Sequence, residues 1–350
     1  MSKAKLRLIK PIAMKYLMGV VIAGVCSLSH AQEMRVLKKT VLGGQGGWDY
    51  LSVDSDNRRI YVSHSTQVEV LNADTHAKIG VIPNLKGVHG VIAVPQHGRG
   101  ITTNGRSNSA TIFDLKTLMP LAELTTGKNP DALLYDAFSD RVFVFDHSGG
   151  TCTVVDIAGA KVLGTVVLGG DAVEAGVTDG KGTIYVNLED SNEIVAFDAK
   201  SLAIRSRISL APCNEPTGMA IDTKNQLIFS VCHNEKLMVV NLATGKVIRE
   251  LPIGKRVDGV TFDPSSGLLV SSNGEGTATV LKEISSSEFT VVGNIATMVG
   301  ARTIALDAKT HHVYVMSAEY GPAPAPSAEN PNPRPTVVPG TFTLLELGLQ

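Results

Sequence analysis

The chain has 350 residues, a formal net charge of −1, and 43% hydrophobic, 19% charged and 5% aromatic residues. This is an ordinary globular composition, long enough for one large domain or two smaller ones. The charge balance disfavours a nonspecific polyanion binder, and so few aromatic residues offer no obvious stacking platform for sugars or nucleic acid.

Residues 1–31 read as a secretory signal. Lys3, Lys5, Arg7, Lys10 and Lys15 precede an apolar run over residues 16–28, and Ser29-His30-Ala31 resembles an A-x-A cleavage site. The run is short for a membrane span, and Val25 before Cys26 makes a poor lipoprotein box. The expectation is therefore a periplasmic or secreted protein without a membrane span. The mature chain, 32–350, would carry 27 basic and 33 acidic residues, a charge of −6.

Residues 34–43 follow as a strand with no hairpin partner nearby. Gly43-Gly44-Gln45-Gly46-Gly47 then leads into a strand, so no helix N-terminus awaits a phosphate, and the run reads as a flexible approach to Trp48 and Asp49.

From there a unit of about four short apolar runs repeats, cut by Gly, Asn, Asp and Pro. Its clearest copy covers residues 87–136. The turn after each first strand falls at Asp54, Pro95, Asp136, Asp179, Asp222, Asp263 and Asp307, with gaps of 41, 41, 43, 43, 41 and 44 residues. A second column, after each third strand, runs Asp74, Asp114, Asp156, Asp198 and Asn241 at 40, 42, 42 and 43. These residues read as turn formers, because Asp and Asn bond their own downstream backbone.

Seven units of this period predict an all-β fold, a seven-bladed β-propeller with WD40-like repeats. The last unit supplies only three strands, so the N-terminal strand is expected to complete its blade and leave no open edge. Residues 321–340 interrupt that blade with seven prolines, which predicts an extended loop, a tolerated insertion or a lid.

The second strands read YVSH at residues 61–64, YVNL at 185–188 and YVMS at 314–317, with FVFD and FSVC variants. They are followed by third strands of V-x-V-x-D type. This resembles the YVTN-repeat, YncE-like family of exported seven-bladed propellers over essentially the whole mature chain. The resemblance implies fold and compartment; the family has no single chemistry.

Of the mature chain's three cysteines, Cys213 and Cys232 are expected to be brought together at one end of one blade and oxidised, leaving Cys152 as a free core thiol.

Five residues before each turn marker stand Asp49, Gly90, Asp131, Glu174, Thr217, Asp258 and Arg302. Four carboxylates in one column facing a narrow channel repel one another unless a cation intervenes. Arg302 supplies one countercharge. A metal at Asp131, Glu174 and Asp258 would supply another, and an oxygen-rich ring suits Ca²⁺ or Mg²⁺. Trp48, His89 and Glu215 stand beside this column. His64, Asn104, Asp146, His147, Glu189, His233, Asn234, Asn273 and Glu275 close the second strands toward the same mouth. His89, flanked by glycines, is the candidate general base.

Two functions follow. In the first, a monomeric binding propeller captures a small polar ligand or a protein partner through Asp49, His89, Asp131, Glu174, Glu189, Asp258, Glu275 and Arg302. In the second, a lactonase-like hydrolase or lyase uses a divalent cation and His89. A hydrated ion-pair network without turnover is the structural alternative. No G-x-S-x-G, H-E-x-x-H, C-x-x-C or P-loop motif is present.

Overall fold

The computed structural model describes residues 1, 33–327, 331, 333 and 335–350. The signal expected over residues 1–31 lies outside this set apart from Met1. Glu33–Gln350 form one compact unit.

Seven four-stranded antiparallel sheets make up this unit. Each of the first six is a meander of consecutive strands; blade 2, for example, is Val88–Val94, Arg99–Asn104, Ser109–Asp114 and Pro120–Thr125. The first strand of every blade touches the first strands of both neighbours, including blade 7 against blade 1, so the inner strands form a closed ring. Helix among the described residues is confined to two 3₁₀ turns, Pro95–His97 and Gly105–Ser107.

Blade 7 is closed as the strand count requires. Met34–Val41 pairs antiparallel with Thr343–Leu349, which pairs with His312–Ser317 and so reaches the inner strand Ile304–Asp307. The first and last strands of the propeller thus share one sheet, which covers the edge that a three-stranded blade would expose.

Burial follows position in the blade. Second and third strands are sandwiched between neighbouring blades and are buried on both faces: Leu227–Cys232 is enclosed along its whole length, whereas the outer strand Ile204–Ser209 is almost wholly exposed. The second strands therefore read as apolar runs, not alternations. Aromatic rings bridge adjacent blades, Phe143 lying 5.6 Å from Phe197 and Tyr61 6.1 Å from Phe113, each pair between ring centroids.

The turn residues act as expected. Asp114 Oδ1 accepts hydrogen bonds from the backbone N–H of Lys116 and Thr117 at 2.9 and 2.7 Å, and Asp198 Oδ1 accepts from Lys200 and Ser201 at 2.9 and 2.6 Å. Blade 1 departs from the pattern. Its acceptor is Asn72, bonded by Asp74 and Thr75 N–H at 3.0 and 2.9 Å, while Asp74 pairs with Arg58 at 2.8 Å. With Asn72 in the column the spacing tightens to 42, 42, 42 and 43 residues.

Cys213 and Cys232 form a disulfide, and Cys152 is a buried free thiol. The proline-rich insertion is fastened at its base by an antiparallel bridge, Tyr320 to Val337, with Gly321 N–H donating to Thr336 O and Val338 N–H to Glu319 O, both at 2.8 Å. Gly340 N–H reaches Gly44 O at 2.8 Å, tying the insertion to the glycine-rich approach.

Candidate functional site

The predicted column does converge. Asp49, Asp131, Glu174 and Asp258 come from blades 1, 3, 4 and 6. The phenol of Tyr50 senses all four: burial first, then Asp131, Glu174, Asp258 and Asp49, hold it well above the ordinary tyrosine range. Tyr50 follows Asp49 in blade 1 yet packs against the apolar core shared by blades 3 and 4, which brings its phenol among carboxylates from four blades.

Gly90, the column residue of blade 2, has a steric task. A Cβ there would meet the Asp131 carbonyl oxygen at 2.8 Å and the Leu133 side chain at 2.2 Å, so only glycine lets blade 3 come this close.

The charges are shared out unevenly. Arg302 binds Asp258 at 2.5 Å and stands 3.6 Å from Asp49. Asp258 holds its guanidinium above the usual range, with burial opposing. Burial pushes the Asp258 carboxyl up to about 7, with Arg302 opposing and Asp49 and Glu174 adding to the rise. Asp131 lies well above the carboxylate range, through burial and then repulsion from Asp49, Glu174 and Asp258. Glu189 is raised by burial and by Glu174.

His89 and Asp49 form a second close pair at the mouth, Nδ1 to Oδ2 at 2.6 Å, with Asp131 Oδ1 at 3.1 Å from the same nitrogen. His147 Nδ1 lies 3.0 Å from Glu174 Oε1, and the Glu174 carboxylate raises the imidazole's pKa against its burial. Farther round the ring, His233 meets Glu215 at 2.7 Å and Glu189 at 3.9 Å.

A recess of about 210 Å³ opens beside Asp49 and His89. Its lining includes Gly47, Trp48, Gly87, Arg106 and Arg302. Trp48 stacks on Phe342 at 5.3 Å and meets Tyr320, at the base of the proline-rich insertion, at 6.2 Å.

Several residues at the ends of second strands are taken up by local partners. Asp146 is buried and takes Thr151 and Thr153 hydroxyls at 2.8 and 2.9 Å, and burial lifts it to about 6. Asn104 and Asn273 stand at the equivalent positions and donate from Nδ2 to the Thr111 and Thr279 hydroxyl oxygens, at 2.8 and 2.9 Å. His64 is packed against Phe342 at 4.4 Å. Glu275 accepts a turn hydrogen bond from Thr277 at 3.0 Å. Sequence reasoning placed His147 at the mouth without a partner and left Tyr50 and Arg106 out. The signal available for Tyr50 was its place beside Asp49; Arg106 follows the second strand of blade 2 by two residues, on the 3₁₀ turn that carries it to the recess.

No helix among the described residues is long and apolar enough to cross a membrane. No protein-family model matches the sequence, and no curated protein sequence does. Among solved structures, the chain is similar to a chain of "Crystal Structure of Mitotic Checkpoint Complex", with a TM-score of 0.71, 15% identity, and coverage of 96% of this chain and 99% of that one. It is also similar to a chain of "Kuenenia stuttgartiensis Hydrazine Synthase", with a TM-score of 0.65, 14% identity, and coverage of 83% and 96%. At these identities the likeness establishes a β-propeller scaffold and nothing finer.

Proposed function

We propose that this chain is an exported ligand-binding propeller, related to the YVTN-repeat, YncE-like proteins. On this reading it holds a small molecule bearing a carboxylate in the recess between Trp48, His89 and Arg302. Export rests on the signal-like segment over residues 1–31 and agrees with the disulfide. The YVTN kinship rests on the YV-type second strands.

The observation that carries the ligand class is the pair of arginines. Arg106 and Arg302 line one recess, and among the described residues Arg106 pairs with no carboxylate of the protein. An arginine left free beside a cavity suits a ligand carboxylate, which it can meet with two parallel hydrogen bonds. The Asp49–His89 pair, 2.6 Å apart, offers a donor or acceptor to an amine or hydroxyl at the ligand's other end. The volume lies below the roughly 300–1,000 Å³ of sites for drug-sized ligands, which argues for a small metabolite.

The test is calorimetry with a panel of amino acids, hydroxy acids and dicarboxylates, set against their amides and amines. Arg302→Ala and Arg106→Ala should each weaken the best carboxylate about 10- to 100-fold, the worth of a charge-assisted hydrogen bond. The proposal fails if the panel is silent or if both variants bind as the parent does. A second reading, cation-dependent hydrolysis, is favoured by the approach of His147 to Glu174 beside Asp131. Turnover of lactones or esters by cation-loaded protein would establish it over simple capture.

A further inference from the structure

We infer that Asp131, His147 and Glu174 form a binding site for a first-row divalent transition-metal ion, of the Zn²⁺ or Mn²⁺ kind, at the junction of blades 3 and 4. One ligand atom from each residue lies within 4.8 Å of the other two.

The backbone fixes the three donors. Asp131 lies in the inner strand Pro130–Asp136 and Glu174 in the inner strand Val173–Thr178. His147 directly follows the second strand of blade 3. Its N–H donates to Asn129 O at 3.0 Å, and its carbonyl accepts from Val173 N–H at 3.1 Å. It is thus pinned between the two inner strands that carry the carboxylates.

Orphaned atoms point to a missing occupant. Asp131 Oδ1 and His147 Nδ1 are both shut off from solvent, and neither completes a hydrogen bond among the described residues. Their neighbours stand close, with His89 3.1 Å from Asp131 and Glu174 3.0 Å from His147, but off the line a hydrogen bond needs. Buried polar atoms are rarely left so. Two ligands about 2.0–2.2 Å from one ion, at angles between 90° and tetrahedral, stand about 2.9–3.5 Å apart. The His147–Glu174 separation falls within that range. Glu174 is only 7% exposed, so its charge cannot be left to water.

Charge and donor type choose the ion. Arg302 is committed to Asp258 and, more distantly, Asp49, which leaves imidazoles as the close partners of Asp131 and Glu174. A divalent cation would balance them. One imidazole nitrogen with two carboxylate oxygens is a borderline set that suits first-row ions better than Ca²⁺ or Mg²⁺, which prefer all-oxygen shells. The ring read as oxygen-rich in the sequence gains a nitrogen donor from His147.

This inference does not rest on the carboxylate-binding recess: the probe is metal alone, and Arg106 and Arg302 take no part. The test uses the mature chain, 32–350, stripped with a chelator and titrated with Zn²⁺ or Mn²⁺. Calorimetry should show one ion per chain, with a higher melting temperature on loading and no response to Ca²⁺ at the same concentration. Glu174→Gln and His147→Gln should each lose at least 10-fold in affinity, while His233→Gln, in the neighbouring Glu189–Glu215–His233 cluster, leaves binding unchanged. Co²⁺ absorption spectra give a second readout, which the His147→Gln change should alter. Metal-free melting curves of the variants check that they fold. Absence of one-to-one binding, binding untouched by both substitutions, or binding lost in His233→Gln would overturn the assignment.

Discussion

Arg58 and Asp307 stand 249 positions apart in the chain and 2.7 Å apart in the fold. Arg58, from the first blade, reaches the fully buried carboxylate that ends the inner strand of the last blade, and it also holds Asp74 at 2.8 Å. The ring is therefore closed by charge between blades 1 and 7 as well as by strand pairing at its rim. Arg58→Ala strands a buried carboxylate and should cost about 3–5 kcal/mol. Asp307 is held below the ordinary carboxylate range, by hydrogen bonds from Ser55, Thr310 and Arg58 that outweigh burial. Its stabilisation is thus present above the unfolded value and lost in acid. Urea denaturation of the variant should show the full loss at pH 7 and a smaller one at pH 3; an equal loss at both would count against the ion pair.

Strand closure makes a separate prediction. A chain starting after Val41 lacks the outer strand of blade 7 and uncovers the edge of Thr343–Leu349. Such an edge invites pairing with other chains. Size-exclusion chromatography of this truncation should show association and its melting curve should broaden; a monomer melting like the parent would show the strand to be dispensable.

Stability should fall between pH 5 and pH 8 in metal-free protein. Asp146 and Asp258 have folded values raised to about 6 and about 7. Raised carboxyls bind protons better when folded, so their contribution is complete below the unfolded value and lost as pH rises through the folded one. The raised His147 has the same sign, and His76, lowered by burial, the opposite one. Glu69, lowered to about 2, has gained its contribution before pH 5. The urea midpoint should therefore be lower at pH 8, and the double variant Asp146→Asn/Asp258→Asn should flatten the profile. A midpoint that climbs from pH 5 to pH 8 would refute this assignment of buried protons.

The Cys213–Cys232 bridge closes a loop of 19 residues. By loop-closure entropy it contributes about 3 kcal/mol. Cys213→Ser/Cys232→Ser should lower the melting temperature while leaving the far-ultraviolet spectrum unchanged. A melting temperature insensitive to the change would place the stabilisation elsewhere in blade 5.

The fold was legible in the chain because its determinants are local. Asp114 and Asp198 mark turns by bonding backbone two and three residues on, and the runs between them carry the strand pattern. A period repeated seven times fixes blade number and the rim closure. The Cys213–Cys232 pair was legible for the same reason, since both residues belong to one hairpin. Blade 1 misled slightly, because Asp74 stands where an aspartate is expected while the turn is made by Asn72.

The column Asp49, Asp131, Glu174, Asp258 and Arg302 could be written down from register alone, since equivalent positions of repeated strands share one height on the axis. What each member meets could not. His147 stands in a loop whose direction depends on backbone bonds to Asn129 and Val173. Tyr50 reaches a core built by blades 3 and 4, and Arg106 faces a recess made by blades 1, 2 and 7. Asp258 is taken up by Arg302, and Glu174 meets an imidazole instead. These relationships join residues of different blades, Asp258 and Arg302 standing 44 positions apart, and only the packing of blade against blade brings them within reach. Periodicity sets the height of a side chain in a propeller, whereas the loops and the meeting of the chain ends decide which charges and lone pairs face one another.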